Sequence, residues 1–225
     1  MEIGGKIRNI ILDLCGGTGA WSKPYKDAGF EVVLVTLPEL NIYNLMPTTH
    51  WICLRDASHR QIRYSDIFGV LAAPPCTEFS VAKNSRPRNL QEGMRIVRRC
   101  LELIWCIQGH NKLEFWALEN PRGLLRQFLG RPAYTFEQWQ FGTPAVKATD
   151  IWGVFKQPKP TVKERPEIPM YGIKNYNYSK AISNPPIPPE YAEYINSFKS
   201  HTERRAAARA ITPAGFADAF FRANH

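Results

Sequence analysis

Cys76 is the residue best placed to do chemistry. It sits in Ala73-Pro74-Pro75-Cys76-Thr77-Glu78-Phe79-Ser80. Two prolines fix φ ahead of it and stiffen the loop that aims the thiol. Most free cysteines fill cores, and Cys53, Cys100 and Cys106 lie in apolar runs that suit that fate. Cys76 follows a Pro-Pro pair instead, which suits a single reactive nucleophile. A second cluster, Glu119-Asn120-Pro121, closes another apolar stretch. Its carboxyl group can act as an acid beside a nucleophile, or as a helix-cap partner. A third cluster is Asp13-Leu14-Cys15-Gly16-Gly17-Thr18-Gly19-Ala20-Trp21. Glycines there allow a tight turn and close approach to a ligand, yet the run is not GxGxxG and has no basic P-loop ending. It reads either as a nucleoside-binding loop or as an ordinary turn.

The elements that must position these clusters follow from periodicity. Ile7–Leu14 and Glu31–Thr36 read as buried strands, Trp51–Leu54 as a weaker third, and Val70–Ala73 and Phe115–Leu118 as two more. Between the last two, Leu90–His110 has helical spacing through Met94, Val97, Leu101 and Ile104. Short strands alternating with helices predict an α/β fold with a parallel sheet covered on both faces. Ligands on such sheets bind outside the carboxyl ends of the strands. All three clusters lie at such ends.

After Trp152 the composition changes. Eight prolines between Pro158 and Pro189 forbid long regular elements. Lys156, Lys159, Lys163, Arg165, Lys174 and Lys180 are interleaved with Tyr171, Tyr176 and Tyr178. Such a segment is either a nucleic-acid contact surface or a solvated connection. Helix returns from Thr202, and Pro213–Asn224 reads as an amphipathic terminal helix.

The 225 residues suggest one domain, or one domain with a small appendage. No apolar run approaches the roughly 18 residues of a membrane span, and MEIGGKIRNI lacks a signal peptide's apolar stretch. Five cysteines without CxxC pairing argue against a disulfide scaffold or zinc ribbon and for a reducing cytoplasm. The formal charge of +9 is compatible with a polyanionic partner.

Taken in order, the three clusters resemble the DNA cytosine-5 methyltransferase family, in particular its small phage-type and prophage-type members. LDLCGGTGAW resembles the S-adenosylmethionine loop, PPCTEFS the catalytic Pro-Cys loop, and ENPRGLL the Glu-Asn element. QFGTPAVKATDIW, residues 140–152, resembles a further block, and ITPAGFADAFFRANH the closing helix. The resemblance implies a Rossmann-like fold, S-adenosylmethionine as cofactor, and double-stranded DNA as partner of a monomeric, cytoplasmic, metal-free enzyme. It implies that Cys76 attacks cytosine C6, that Glu119 serves N3 and N4, and that Lys147 stands in for the arginines that hold the flipped base. The cofactor residues it implies are Asp13, Cys15, Gly16, Gly17, Thr18, Gly19, Trp21, Asp56 and Pro75. Nucleic-acid contacts are expected from Ser80, Lys83, Arg86, Arg88, Arg122, Lys156, Lys159, Lys163 and Arg165. The expected organisation is a catalytic core over 1–152, a reduced target-recognition insert over 153–204, and a helix over 205–225 that packs back on the core. The chain departs from the family at the end of the second strand. Thr36-Leu37-Pro38 stands where an acid for the ribose is usual, with Glu39 as the nearest substitute. Three other readings stay open: the same chemistry on RNA, transfer of a modified alkyl group, and a catalytically silent nucleic-acid-binding relative.

Overall fold

The computed structural model describes residues 9–56, 58–81, 83, 87–143, 147–165 and 187–225. Its centre is a six-stranded sheet in the order β2-β1-β6-β7-β9-β8. The strands are β1 (Ile10–Leu14), β2 (Glu31–Val35), β6 (Ile67–Ala72), β7 (Phe115–Pro121), β8 (Tyr134–Glu137) and β9 (Ala148–Val154). β1, β2, β6 and β7 are mutually parallel, and β9 runs against both β7 and β8. This is an α/β, Rossmann-like arrangement. The chain passes from β1 to β2 on one side and returns to β6 on the other, which opens a crevice at the carboxyl ends of β1 and β6.

Both faces of the sheet are covered, which explains the continuous apolar runs of β1 and β6. One face packs against α2 (Leu90–Gln108) through Val97, Cys100, Leu101, Ile104 and Ile107. Asn89 starts this helix by accepting from the Glu92 amide at 3.0 Å. The other face packs against α1 (Lys23–Asp27) and the terminal helix α6 (Ala214–Ala223), where Phe216 and Phe220 meet Trp21, Tyr25 and Phe115. Phe216 stacks on Phe136 at 4.1 Å. Asn224 fastens the end of α6 to the exit of β9. Its amide donates to the Lys156 carbonyl at 2.9 Å and its oxygen accepts from the Lys156 amide at 2.8 Å.

The structure corrects the expected third strand. Trp51–Leu54 does not join the central sheet; it is β4, in a separate antiparallel sheet with β3 (Leu45–Pro47) and β5 (Gln61–Arg63). Only Ile52 and Leu54 of β4 are buried, so it is a one-sided strand that caps the core beside α2. Helices α3 (Leu125–Leu129), α4 (Ala192–Ser197) and α5 (His201–Ala210) complete the described α-helices. α5 opens with a reciprocal Ser200–Glu203 capping box. β9 continues past Trp152, and Gly153 and Val154 still pair with β7. Lys174, Lys180, Tyr171, Tyr176 and Tyr178 lie outside the described residues.

Candidate active site

The loop that follows β6 carries Cys76 and is anchored on both sides. Towards β1, the Ala73 amide donates to the Leu14 carbonyl at 2.9 Å. Towards β7, the buried Asn120 amide donates to the Pro74 carbonyl at 2.9 Å, and the Leu124 amide donates to the Phe79 carbonyl at 3.0 Å. Gly123 makes that last approach possible, since a Cβ there would stand 2.3 Å from the Phe79 oxygen. Within the loop, the Phe79 and Ser80 amides both donate to the Cys76 carbonyl, at 3.0 and 2.8 Å. The thiol therefore stands on a closed turn fixed to its two neighbouring strands.

Glu119 lies on β7, where Leu118 is paired with Ala72 just before the Cys76 loop. The charges of Glu119 and Lys147 act on Cys76, and that of Lys147 acts on Glu119. Burial and the Glu119 carboxylate push the Cys76 thiol above its ordinary range, while Lys147 and Arg209 pull it down. Burial also raises Glu119, Lys147 opposes the rise, and Asp150 adds to it. The cluster can thus hold a proton on Glu119 beside a thiol whose anion two cations favour. Arg209 is absent from the sequence motifs. It arrives from the end of α5, where its carbonyl accepts from the Lys147 ammonium at 3.0 Å. No local pattern in the sequence marks it.

The glycine loop after β1 is left-handed at three places: Cys15 at φ 58°, Gly17 at 56° and Gly19 at 72°. Beneath it lies Asp13, fully buried, accepting from the Ser22 hydroxyl at 2.5 Å. Burial raises its carboxyl to about 6, although the Ser22 bond opposes the rise, and its second oxygen has no partner. A Cβ on Gly16 would stand 2.4 Å from that carboxyl group, whereas one on Gly17 would meet nothing within 4 Å. Gly16 therefore fits inward, and Gly17 faces open space. Thr18 is half-buried between them and α1. This cradle fits the backbone approach that a nucleoside-bearing ligand needs.

Other sequence candidates fall into different roles. The Trp21 ring is 2% exposed and packs on Phe216 and Phe220, so it is core rather than ligand contact. Asp56 follows β4 and closes its own turn by accepting from the amide and hydroxyl of Ser58, at 2.9 and 2.5 Å. Pro75 is exposed beside Cys76. Arg88, a candidate for nucleic-acid contact, instead donates from its guanidinium to the Glu78, Ser80 and Lys83 carbonyls at 2.7, 3.0 and 2.8 Å. It is a brace of the Cys76 loop. Lys83 is paired with Glu78 at 2.6 Å. Ser80 forms a bridge with Gly123. Arg86 lies outside the described residues. Arg122, Lys156, Lys159, Lys163 and Arg165 are exposed. At the end of β2, Glu39 is exposed, and the Thr36 hydroxyl lies 3.4 Å from that of Tyr194 on α4. Among the described residues no group of His, Cys, Asp or Glu could hold a metal ion, and no helix is long and apolar enough to cross a membrane.

Fold and site together define an α/β protein with a glycine loop, a cysteine and a carboxyl group at neighbouring strand ends. Over 90 residues the chain is 32% identical to the Type II methyltransferase M.DdeI of Desulfomicrobium norvegicum, a match that covers 35% of this chain and 22% of that protein. The chain thus spans about a fifth of the relative's length. No protein-family model matches it.

Proposed function

We propose that the protein transfers a methyl group from S-adenosylmethionine to C5 of cytosine in double-stranded DNA. The observation that carries this reading is that Cys76 and Glu119 stand at adjoining strand ends, where the Glu119 carboxylate raises the Cys76 thiol and burial raises Glu119 itself. Similarity to a Type II methyltransferase points the same way.

C5 of cytosine is too weak a nucleophile to accept a methyl group unaided. The Cys76 thiolate adds to C6, and the ring electrons shift towards C5 and N3. Glu119 delivers its proton to N3 and so removes the charge that would otherwise build there. After the transfer the C5 proton passes to water and N3 returns its proton to Glu119, which restores the C5–C6 double bond and expels Cys76 with its electron pair. S-adenosylmethionine, when bound, supplies the electrophilic methyl. Residues 15–19 would hold it, and the open space beside Gly17 supports that reading. Lys147 and Arg209 support the thiolate, and Lys147 also faces Glu119. Replacing the cysteine by an aromatic residue would give the pattern of an amino-group methyltransferase, so Cys76 selects carbon over nitrogen. The base must leave the duplex to reach these groups, at a cost of a few kcal/mol that backbone contacts offset. In this reading residues 1–152 are the catalytic core, 153–204 the recognition insert, and 205–225 the closing helix.

The missing acid after β2 favours one other reading, a silent nucleic-acid-binding relative. Incubation with labelled S-adenosylmethionine and either DNA or RNA, followed by nucleoside mass analysis, separates the two. Labelled 5-methylcytosine in DNA is the expected product. Label on an exocyclic amine, or in RNA alone, contradicts the proposal, and absence of transfer leaves the silent relative.

A further inference from the structure

A groove of about 350 Å³ opens on the same rim of the sheet, lined by Arg122, Arg126, Arg131 and Thr135. Its floor is an ion pair. Arg126 donates through Nε and Nη2 to the two oxygens of Asp150, both at 2.6 Å, and Thr135 donates to the same carboxylate at 2.8 Å. The Asp150 side chain is wholly buried, so this charge is balanced inside the protein. Each wall is fastened to β9 or the residues just after it. The Arg122 amide donates to the Ala148 carbonyl at 2.9 Å, the Trp152 indole to the Gly130 carbonyl at 3.1 Å, and the Gln157 amide to the Ala133 carbonyl at 2.9 Å. This rigid frame carries two further guanidinium groups, Arg122 and Arg131. Both are exposed, and neither has an acidic partner among the described residues.

Two uncompensated guanidinium groups on a fixed frame suit a tetrahedral oxyanion, which each can bind in a forked manner. Arg122 is three residues beyond Glu119, so the two backbones stand at most about 10 Å apart. Along one DNA strand that reach corresponds to about three nucleotides or fewer. Asn120, Asp150 and Thr135 share one row across the sheet, so the groove lies on the face of β7 opposite to Glu119. Arg122 follows Pro121, the last residue of β7, so a strand whose base enters the Cys76 cleft reaches the groove by rounding that end of the strand.

We infer that Arg122 and Arg131 form a site for one backbone phosphate of the DNA strand, close to the target cytosine. This inference rests on the proposed function. The test is duplex binding across a salt series by wild type and by the double variant Arg122→Ala/Arg131→Ala, with Arg122→Gln/Arg131→Gln as a milder second pair and thermal unfolding as the check on folding. Removing one phosphate interaction should reduce the slope of log affinity against log salt by about 0.9. Duplexes bearing one neutral methylphosphonate at a time should then show a single position that weakens wild type and costs the variant nothing. If wild type binds with a steep salt slope and both variants match it, the groove is not a phosphate site. If wild type shows no salt-dependent DNA binding, the proposed function itself fails.

Discussion

The side-chain amide of Asn120 donates to the carbonyl oxygen of Pro74 across 2.9 Å in the interior. This bond joins the strand that carries Glu119 to the loop that carries Cys76. The two groups proposed to react are therefore held by one piece of structure, although 43 positions separate them in the sequence (119 − 76).

Asn120→Leu should separate them. The Pro74 carbonyl would be left buried without a donor, at a cost of about 1–3 kcal/mol. Denaturant unfolding should show that loss. Turnover should fall further than cofactor affinity, because the cradle after β1 is anchored elsewhere. Equal, proportionate losses in both would mean that the bond serves stability alone.

Charges around Cys76 can be removed one at a time. Glu119→Gln takes away a carboxylate that disfavours the thiolate, so alkylation of Cys76 should begin at lower pH. Lys147→Met takes away a cation that favours it, so alkylation should begin at higher pH. Iodoacetamide labelling followed peptide by peptide reads both shifts. Profiles that superimpose on wild type would show that the three groups do not share a field.

Asp13 makes stability depend on pH. Its carboxyl is raised to about 6 in the fold, against about 3.9 in an unfolded chain. Between those values the native state holds a proton that the unfolded state has lost, so stability falls as pH rises through that window. The difference corresponds to about 3 kcal/mol, fully present below pH 4 and gone above pH 6. Asn at this position still accepts from Ser22 but cannot ionise. Glu119 is raised too and slopes the same way, so Asp13→Asn is best compared in the Glu119→Gln background. Unfolding free energies at pH 4.5 and 7 should then differ much less with Asn than with Asp. Parallel falls in both proteins would contradict the assignment.

Arg88 distinguishes a brace from a nucleic-acid contact. Arg88→Ala frees three loop carbonyls and should lower turnover while leaving the salt slope of DNA binding unchanged. Replacing exposed Lys159, Lys163 and Arg165 should do the reverse, flattening the slope by about 0.9 for each phosphate that is no longer neutralised. A flattened slope from Arg88→Ala would return that residue to the DNA surface.

The sequence made β1, β2, β6, β7 and α2 legible because their burial is continuous or strongly periodic. It also marked the neighbouring strand ends that carry Cys76 and Glu119. The small sheet was not legible. β3 and β5 have three residues each, too few for alternation to register, and β4 on its own resembles a short member of the central sheet. Arg209 and the Arg88 brace were hidden for a different reason. Their partners are backbone carbonyls and a distant thiol, so folding creates the relation and no spacing encodes it. Trp21 looks like a ligand residue because its place beside the glycine loop is local, while the ring's destination is set by Phe216 and Phe220 nearly two hundred residues later.

Covalent trapping tests the central claim most directly. DNA carrying 5-fluorocytosine, with S-adenosylmethionine present, should arrest the reaction with Cys76 still bonded to C6, because fluorine cannot leave C5 as a cation. Wild type should give a denaturation-resistant protein–DNA complex whose cross-linked peptide contains Cys76, and Cys76→Ala should give none. A Cys76→Ala protein that is trapped as well as wild type would contradict the account.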